Sequence, residues 1–107
     1  MQKVFGLIGL AKRAGRLALG ESPSKDAVRF GKAKLVIIAE DASDNTKKSI
    51  TDSCKYYGVK FYIAATKESL GHAVGNSFNA AVAILDDGFA KNIDKYLQTN
   101  FNGGDTL

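Results

Sequence analysis

Two pairs of adjacent carboxylates have the clearest capacity for chemistry in this sequence. Glu40-Asp41 and Asp86-Asp87 each follow an apolar run that predicts a buried strand. Carboxylates at two strand ends can hold a magnesium ion beside a phosphoryl group, as phosphoryl-transfer enzymes require. Adjacent residues of a strand point to opposite faces, so only one acid of each pair can enter a shared site.

The other parts of such an enzyme do not occur in the sequence. No glycine-rich phosphate loop follows a predicted strand, His72 is the only histidine, and no Ser, His and Asp set forms a triad. Turns and helix caps are commoner roles for such acids than metal ligation. We therefore predict a protein without catalysis, metal or cofactor, and a phosphoryl-transfer enzyme is the least favoured alternative.

The elements that position these acids follow from the hydrophobic pattern. Strands are predicted at 16–20, 35–39, 59–64 and 80–85, with helices before, between and after them. The first helix is predicted to end at Gly15, and the second to have Ser22 as its cap, Pro23 at its first position and Gly31 after its end. The third is predicted to lie between a cap at Ser43 or Asp44 and a stop at Gly58, and the fourth to be capped by Thr66. This alternation predicts an α/β fold, a three-layer α/β/α sandwich with a mixed sheet of about four strands.

The third predicted helix carries the single cysteine and a pair of tyrosines. Cys54 falls at helical spacing between Ile50 and Tyr57, which predicts a buried core thiol. Tyr56 and Tyr57 precede the glycine that ends the helix, and we expect them to pack under the sheet. Stacking of one of them on a nucleobase is the alternative.

The extent of the chain fits one domain. We expect residues 1–107 to form a single domain with a frayed tail over about 100–107, where a Gly-Gly pair leaves little to bury. The sequence has no charged-then-apolar leader and no apolar run of the ~18 to 20 residues that a membrane span needs. A cytoplasmic monomer with no membrane partner is the resulting expectation.

Charge is distributed unevenly along the chain. Residues 1–48 hold ten Lys and Arg against five Asp and Glu, a net +5, whereas residues 49–107 hold five against six, a net −1. A basic surface of this kind releases counterions from a polyanion, which is the sequence-independent part of nucleic-acid binding. A solvated, solubilising face would have the same composition, so charge alone leaves both interpretations open.

Three predicted loops at one end of the sheet make the strongest candidate site. Gly20 to Lys25 opens a helix whose backbone N–H groups favour anions, Glu40-Asp41 ends the neighbouring strand, and Ala64 to Lys67 ends another. Backbone amides and cationic side chains would take RNA phosphates, an acid would accept from guanine amino groups, and the alanines would support an extruded base. The predicted RNA-contacting residues are Gly20, Glu21, Ser22, Lys25, Arg29, Lys32, Lys34, Glu40, Asp41, Ala65 and Thr66.

These same segments resemble a known family. The run Gly31 to Asp41, together with Thr66 to Gly71, is similar to the ribosomal protein L7Ae family of kink-turn RNA binders, and the similarity covers roughly residues 4–93. Asp41 to Lys48 and Gly88 to Ala90 resemble its small bacterial, ribosomal-protein-like branch. The resemblance implies a non-catalytic, ribosomal or ribosome-associated protein that binds an RNA internal loop with a sharp backbone kink and tandem sheared G·A pairs.

The first loop departs from the pattern of that family. Members usually carry glycine, any residue, asparagine, glutamate, two further residues and lysine, and the matching positions here are Gly20, Ser22, Pro23 and Asp26. Ser22 can replace part of the hydrogen bonding of asparagine, but Pro23 cannot act as glutamate and Asp26 has the opposite charge to lysine. This departure motivates an alternative function, a protein-interaction adaptor on the same fold with only weak, non-specific RNA binding.

Overall fold

A computed structural model describes residues 1–100 of the chain, the side chain of residue 100 excepted. Five helices and four strands alternate along it. In chain order they are α1 Gln2–Arg13, β1 Leu17–Leu19, α2 Glu21–Arg29, β2 Leu35–Ile38, α3 Asp44–Tyr57, β3 Phe61–Ile63, α4 Lys67–Ala73, β4 Ala81–Ile84 and α5 Asp87–Asn100. The tail predicted over 100–107 lies outside the described residues, apart from Asn100 at the end of α5.

Strand direction sets where the loops lie. The sheet order is β1-β4-β2-β3, with β4 antiparallel to β1 and β2, and β2 parallel to β3. Strands β1, β2 and β3 therefore run in one direction and β4 in the other. We call the end of the sheet where β1, β2 and β3 finish the loop end, and the opposite end the far end. Helices α2, α3 and α4 all begin at the loop end.

The sheet is covered by helices on both faces. Helices α2 and α3 pack together on one face, and α1 packs against α4 and α5 on the other. Every residue of β2 and β4 is buried, which explains why neither strand alternates polar and apolar residues. The predicted three-layer sandwich with a mixed four-stranded sheet is confirmed.

The predicted cap of α2 is wrong by two residues. The helix begins at Glu21, with Gly20 as its N-cap at φ 97° and ψ 174°. Only glycine adopts such a positive φ without strain, and this lets the chain turn directly from β1 into the helix. Pro23 occupies the third helical position, where its missing N–H costs nothing because first-turn N–H groups have no partner within the helix. The caps predicted at Ser43, Gly58 and Thr66 are confirmed.

The cysteine and the tyrosine pair of α3 differ in environment. Cys54 is fully buried as predicted, and burial raises the pKa of its thiol to about 11. The expectation that Tyr56 and Tyr57 pack under the sheet is wrong, because their exposed fractions are 81% and 45%. The reason is the length of the helix. The 14 residues of α3 span roughly 21 Å and the four of β2 roughly 13 Å, so the end of α3 that carries the two tyrosines extends past the sheet.

Candidate nucleic-acid interface

Backbone contacts draw the three predicted loops together at the loop end. The Gly20 N–H donates to the Ala81 carbonyl at 2.8 Å, which joins the first loop to the start of β4. The Glu40 N–H donates to the Ala65 carbonyl at 2.9 Å, which joins the second loop to the third. These hydrogen bonds hold residues 20–22, 40–41 and 65–67 at one end of the sheet.

The third loop holds an unusual backbone conformation. Ala65 has φ 65°, the only positive φ of a non-glycine residue within 1–100. This conformation costs on the order of 1 to 3 kcal/mol, and residues strained in this way cluster at functional sites. Thr66 and Ser69 form a capping box at the start of α4, so the strained residue is followed by a rigid helix start. The loop is therefore preorganised.

The adjacent acids Glu40 and Asp41 have different roles. Asp41 Oδ1 accepts the Lys67 N–H at 2.8 Å and so helps to cap α4. The Glu40 carboxylate is exposed and has no partner within the described part of the chain. Glu40 is therefore the acceptor available to a ligand, and Asp41 chiefly positions the third loop.

A hydroxyl relay fixes the start of α2 against the start of α3. The Ser43 hydroxyl donates to Thr46 Oγ1 at 2.9 Å, and the Thr46 hydroxyl donates to Glu21 Oε1, also at 2.9 Å. Glu21 is thus held by the protein rather than presented to solvent.

Gly20 has no side chain to cap α2, so the first N–H groups of this helix face the loop end uncapped. An uncapped helix start attracts anions such as phosphate.

Most of the predicted cations lie away from the loop end. Lys25, at the middle of α2, donates from Nζ to Ser49 Oγ at 2.6 Å. The Arg29 guanidinium pairs with Asp26 at 3.2 Å, and Arg29 is the last residue of α2, so it lies towards the far end. Lys32 and Lys34 precede β2 and lie towards the far end, roughly 20 Å from Glu40 at the rise of an extended chain. The structure does not bring Arg29, Lys32 or Lys34 to the loop end, because α2 runs away from that end and β2 begins at the opposite one.

Strand direction also separates the two acid pairs. Asp86 follows β4, which runs opposite to β2, and its Oδ2 accepts the Phe89 N–H at 2.9 Å to cap α5 at the far end. A site shared with Glu40-Asp41 is therefore impossible. Across residues 1–100, no group of three or more His, Cys, Asp or Glu is placed to hold a metal ion.

A fourth segment, residues 76–80, completes the loop end, and the sequence analysis missed it. A Cβ atom on Gly71 would lie 2.7 Å from the Phe78 nitrogen and from the Ser77 carbonyl, so glycine alone lets α4 pack this tightly on the segment. The Asn79 N–H donates to the Lys67 carbonyl at 2.9 Å. Phe78 is 66% exposed. The sequence does hold a signal for this segment, namely an aromatic residue between polar neighbours shortly before a buried strand.

The chain is similar to known proteins in sequence and in fold. The profile of the family described as "Ribosomal protein L7Ae/L30e/S12e/Gadd45 family" matches residues 2–94. The chain belongs to this family. Membership of the family confirms the predicted resemblance and the prediction of a non-catalytic protein.

Three curated relatives carry informative names. RNA-binding protein YlxQ of Bacillus subtilis (strain 168) is 40% identical over 83% of this chain and 89% of the relative. RNA-binding protein YlxQ of Enterococcus faecium is 38% identical over 91% of this chain and 93% of the relative. Large ribosomal subunit protein eL8 of Cenarchaeum symbiosum (strain A) is 32% identical over 78% of this chain and 67% of the relative.

Two solved structures share the architecture. A protein of unknown function from Bacillus halodurans C superposes with a TM-score of 0.88 at 32% identity, covering 92% of this chain and 99% of that one. The Giardia lamblia 15.5kD RNA binding protein superposes with a TM-score of 0.79 at 22% identity, covering 96% and 88%. The second likeness supports the fold alone. No helix within residues 1–100 has the length and apolar character to cross a membrane.

Proposed function

We propose that this protein binds RNA at the loop end and recognises a kinked internal loop that contains sheared G·A pairs. The observation that carries the proposal is the convergence of four loops, residues 20–22, 40–41, 65–67 and 76–80, around an uncapped helix start. The names of the YlxQ relatives, RNA-binding proteins at 38 to 40% identity, support the same class of ligand.

Each group at the loop end suits a different part of such an RNA. The first N–H groups of α2 would bind a phosphate brought close by the kink. The free Glu40 carboxylate would accept from the amino edge of a guanine, which gives a base preference that lysines lack. Phe78 and the apolar Ala65 would support a base extruded from the stack.

The functional consequence is a change in RNA shape. A kink brings phosphates together, and their repulsion favours the extended form of the free RNA. A protein that binds only the kinked form shifts the population towards it by the difference between its affinities for the two forms. No covalent step is required.

We also propose a ribosomal or ribosome-associated role in the cytoplasm, supported by the likeness to eL8. Co-sedimentation with ribosomal subunits on a sucrose gradient tests this role.

The departures in the first loop favour the adaptor alternative and define the test. Pro23 and Asp26 cannot supply the contacts of glutamate and lysine, and Asp26 instead pairs with Arg29. The protein is titrated into a labelled kink-turn hairpin and into the same hairpin with its G·A pairs replaced by Watson–Crick pairs, at near-physiological salt. The proposal predicts tight binding to the first hairpin alone. Equal weak binding to both would contradict it and favour the adaptor.

A further inference from the structure

A polar groove between α2 and α3 leads away from the loop end. Its volume is about 320 Å³, and its lining residues are Ser22, Lys25, Asp26, Arg29, Ser53 and Tyr57. Ser22 belongs to the first loop, whereas Arg29 and Tyr57 are the last residues of their helices. The groove therefore starts where the proposed RNA site ends.

Hydrogen bonds join α2 and α3, the two helices that form the groove. Thr46 donates to Glu21 at 2.9 Å, and one turn further along each helix Lys25 donates to Ser49 at 2.6 Å. The two helices thus run side by side in the same direction. The nine residues of α2 span roughly 13.5 Å, which is the length of about four stacked nucleotides at 3.4 Å each.

The cations in the groove are available to a polyanion. Lys25 gives one of the three N–H bonds of its ammonium group to Ser49, and the others are not used by that contact. Arg29 pairs with Asp26, but both side chains are more than half exposed, and such pairs contribute little stability. A phosphate can therefore replace Asp26 as the partner of the guanidinium at small cost.

The groove ends at exposed aromatic rings that the core does not use. The rings of Tyr56 and Tyr57 meet edge to face with centroids 4.8 Å apart, where α3 extends past the sheet. Large exposed aromatic side chains beside cations are the usual platform for nucleobases, because every base has a face that stacks. An acidic peptide would use the cations but not these rings.

We propose that the α2–α3 groove binds the RNA strand that leaves the kinked loop, with phosphates on Lys25 and Arg29 and a base stacked on Tyr57. This inference rests on the proposed function and extends it, since it assigns a second contact outside the loop end. The protein then recognises a longer RNA than the kinked loop alone.

The test compares RNAs of two lengths. A short kinked hairpin is compared with two hairpins in which either strand of the loop-flanking stem is extended by about four unpaired nucleotides, the length of the groove. Affinities are measured for the wild-type protein, for Tyr57→Ala, and for Tyr57→Phe, which keeps the ring and removes the hydroxyl. Arg13→Gln, at the end of α1, is the charge-loss control outside the groove.

The proposal predicts a length dependence that requires the Tyr57 ring. Wild type and Tyr57→Phe bind one extended hairpin at least fivefold tighter than the short one, as expected for a stacked base, and Tyr57→Ala brings this ratio close to one. Arg13→Gln leaves the ratio as in wild type. A wild-type ratio of one for both extensions, or a ratio that Tyr57→Ala preserves, would overturn the groove assignment. Failure of the wild type to prefer the short kinked hairpin over its Watson–Crick counterpart is a separate result, which would remove the proposed function and with it the groove.

Discussion

Glu40 and Asp41 are neighbours in sequence with different hydrogen-bonding partners. Asp41 is committed to the Lys67 N–H, and the Glu40 carboxylate is free in the described part of the chain. Two substitutions that each remove one charge should therefore have separable effects. One should change RNA affinity, and the other should change stability.

Glu40→Gln should weaken binding to the kinked hairpin by roughly fivefold, because a hydrogen bond to a charged acceptor is worth about 1 kcal/mol more than one to a neutral amide. Its free energy of unfolding should not change. The matched variant Asp41→Ala should lower that free energy by about 1 kcal/mol, as loss of a helix cap does. Fluorescence titration and urea unfolding measure the two effects. Equal RNA affinities for wild type and Glu40→Gln would exclude the acid from the interface.

Gly71 controls the segment that presents Phe78. Gly71→Ala places a Cβ atom 2.7 Å from backbone atoms of residues 77 and 78, so either α4 or the segment must move. We expect a loss of about 1 to 3 kcal/mol in the free energy of unfolding, as in other overpacked sites, together with weaker RNA binding. Gly6→Ala on α1 is the control, since its Cβ meets nothing within 4 Å and helix propensity should stabilise it by about 1 kcal/mol. If Gly71→Ala changed neither the free energy of unfolding nor the RNA affinity, Gly71 would not control the position of this segment.

At the scale of elements, the direction of each strand decides which side chains share an end. Sequence patterns predict the buried strand β2 and the caps of α3 and α4, because both are local properties of residue type and spacing. They do not show that β4 runs against its neighbours, so a site shared by Asp86 and Glu40 is wrongly expected. Lys32 and Lys34 are misplaced for another reason, because they precede β2 whereas Glu40 follows it. The start of α2 at Gly20 depends on a φ value that residue type alone leaves open.

Lys25 and Arg29 in the α2–α3 groove should contribute to the salt dependence of binding to the extended hairpin, whereas Lys32 and Lys34, outside the groove, should not. The double substitution Lys25→Gln with Arg29→Gln should reduce the slope of log K against log salt for that hairpin by about 1.4, since each phosphate contact of a single strand contributes about 0.7. Lys32→Gln with Lys34→Gln removes the same charge outside the groove and should leave the slope unchanged. Titrations at several salt concentrations measure both. Equal reductions in the two variants would indicate binding through diffuse charge alone.

At the scale of the whole molecule, the sheet is a rigid platform enclosed by two helix layers, and the proposed function resides at one end of it. The composition of the strands was sufficient to predict this platform. The segment 76–80 was not predictable, because its place depends on a close approach between Gly71 and the backbone of residues 77 and 78 that residue types alone do not indicate. The same holds for Tyr56 and Tyr57, whose exposure follows from the length of α3 relative to the sheet.

Core burial also predicts how stability depends on pH. Burial raises the pKa of the Cys54 thiol to about 11, and burial with Asp94 as a hydrogen-bonding partner raises that of Tyr62 as well. Both groups keep their protons in the folded state after the unfolded chain has lost them. Their contribution to stability is therefore complete below pH 8.5, and that of Cys54 is lost as the pH rises to about 11. Urea unfolding between pH 8 and 11 should show this decline, and Cys54→Ala should reduce its slope. An unchanged slope would exclude the thiol as a contributor.

The central claim is that the kinked loop of the RNA binds the loop end of the protein and not the far end. The most direct measurement is an amide chemical-shift titration of ¹⁵N-labelled protein with the short kinked hairpin. The account predicts shifts at residues 20–22, 40–41, 65–67 and 76–79, with none at 32–34, 60 or 87–94. Shifts centred on the far end, or small shifts spread over all basic residues, would contradict it.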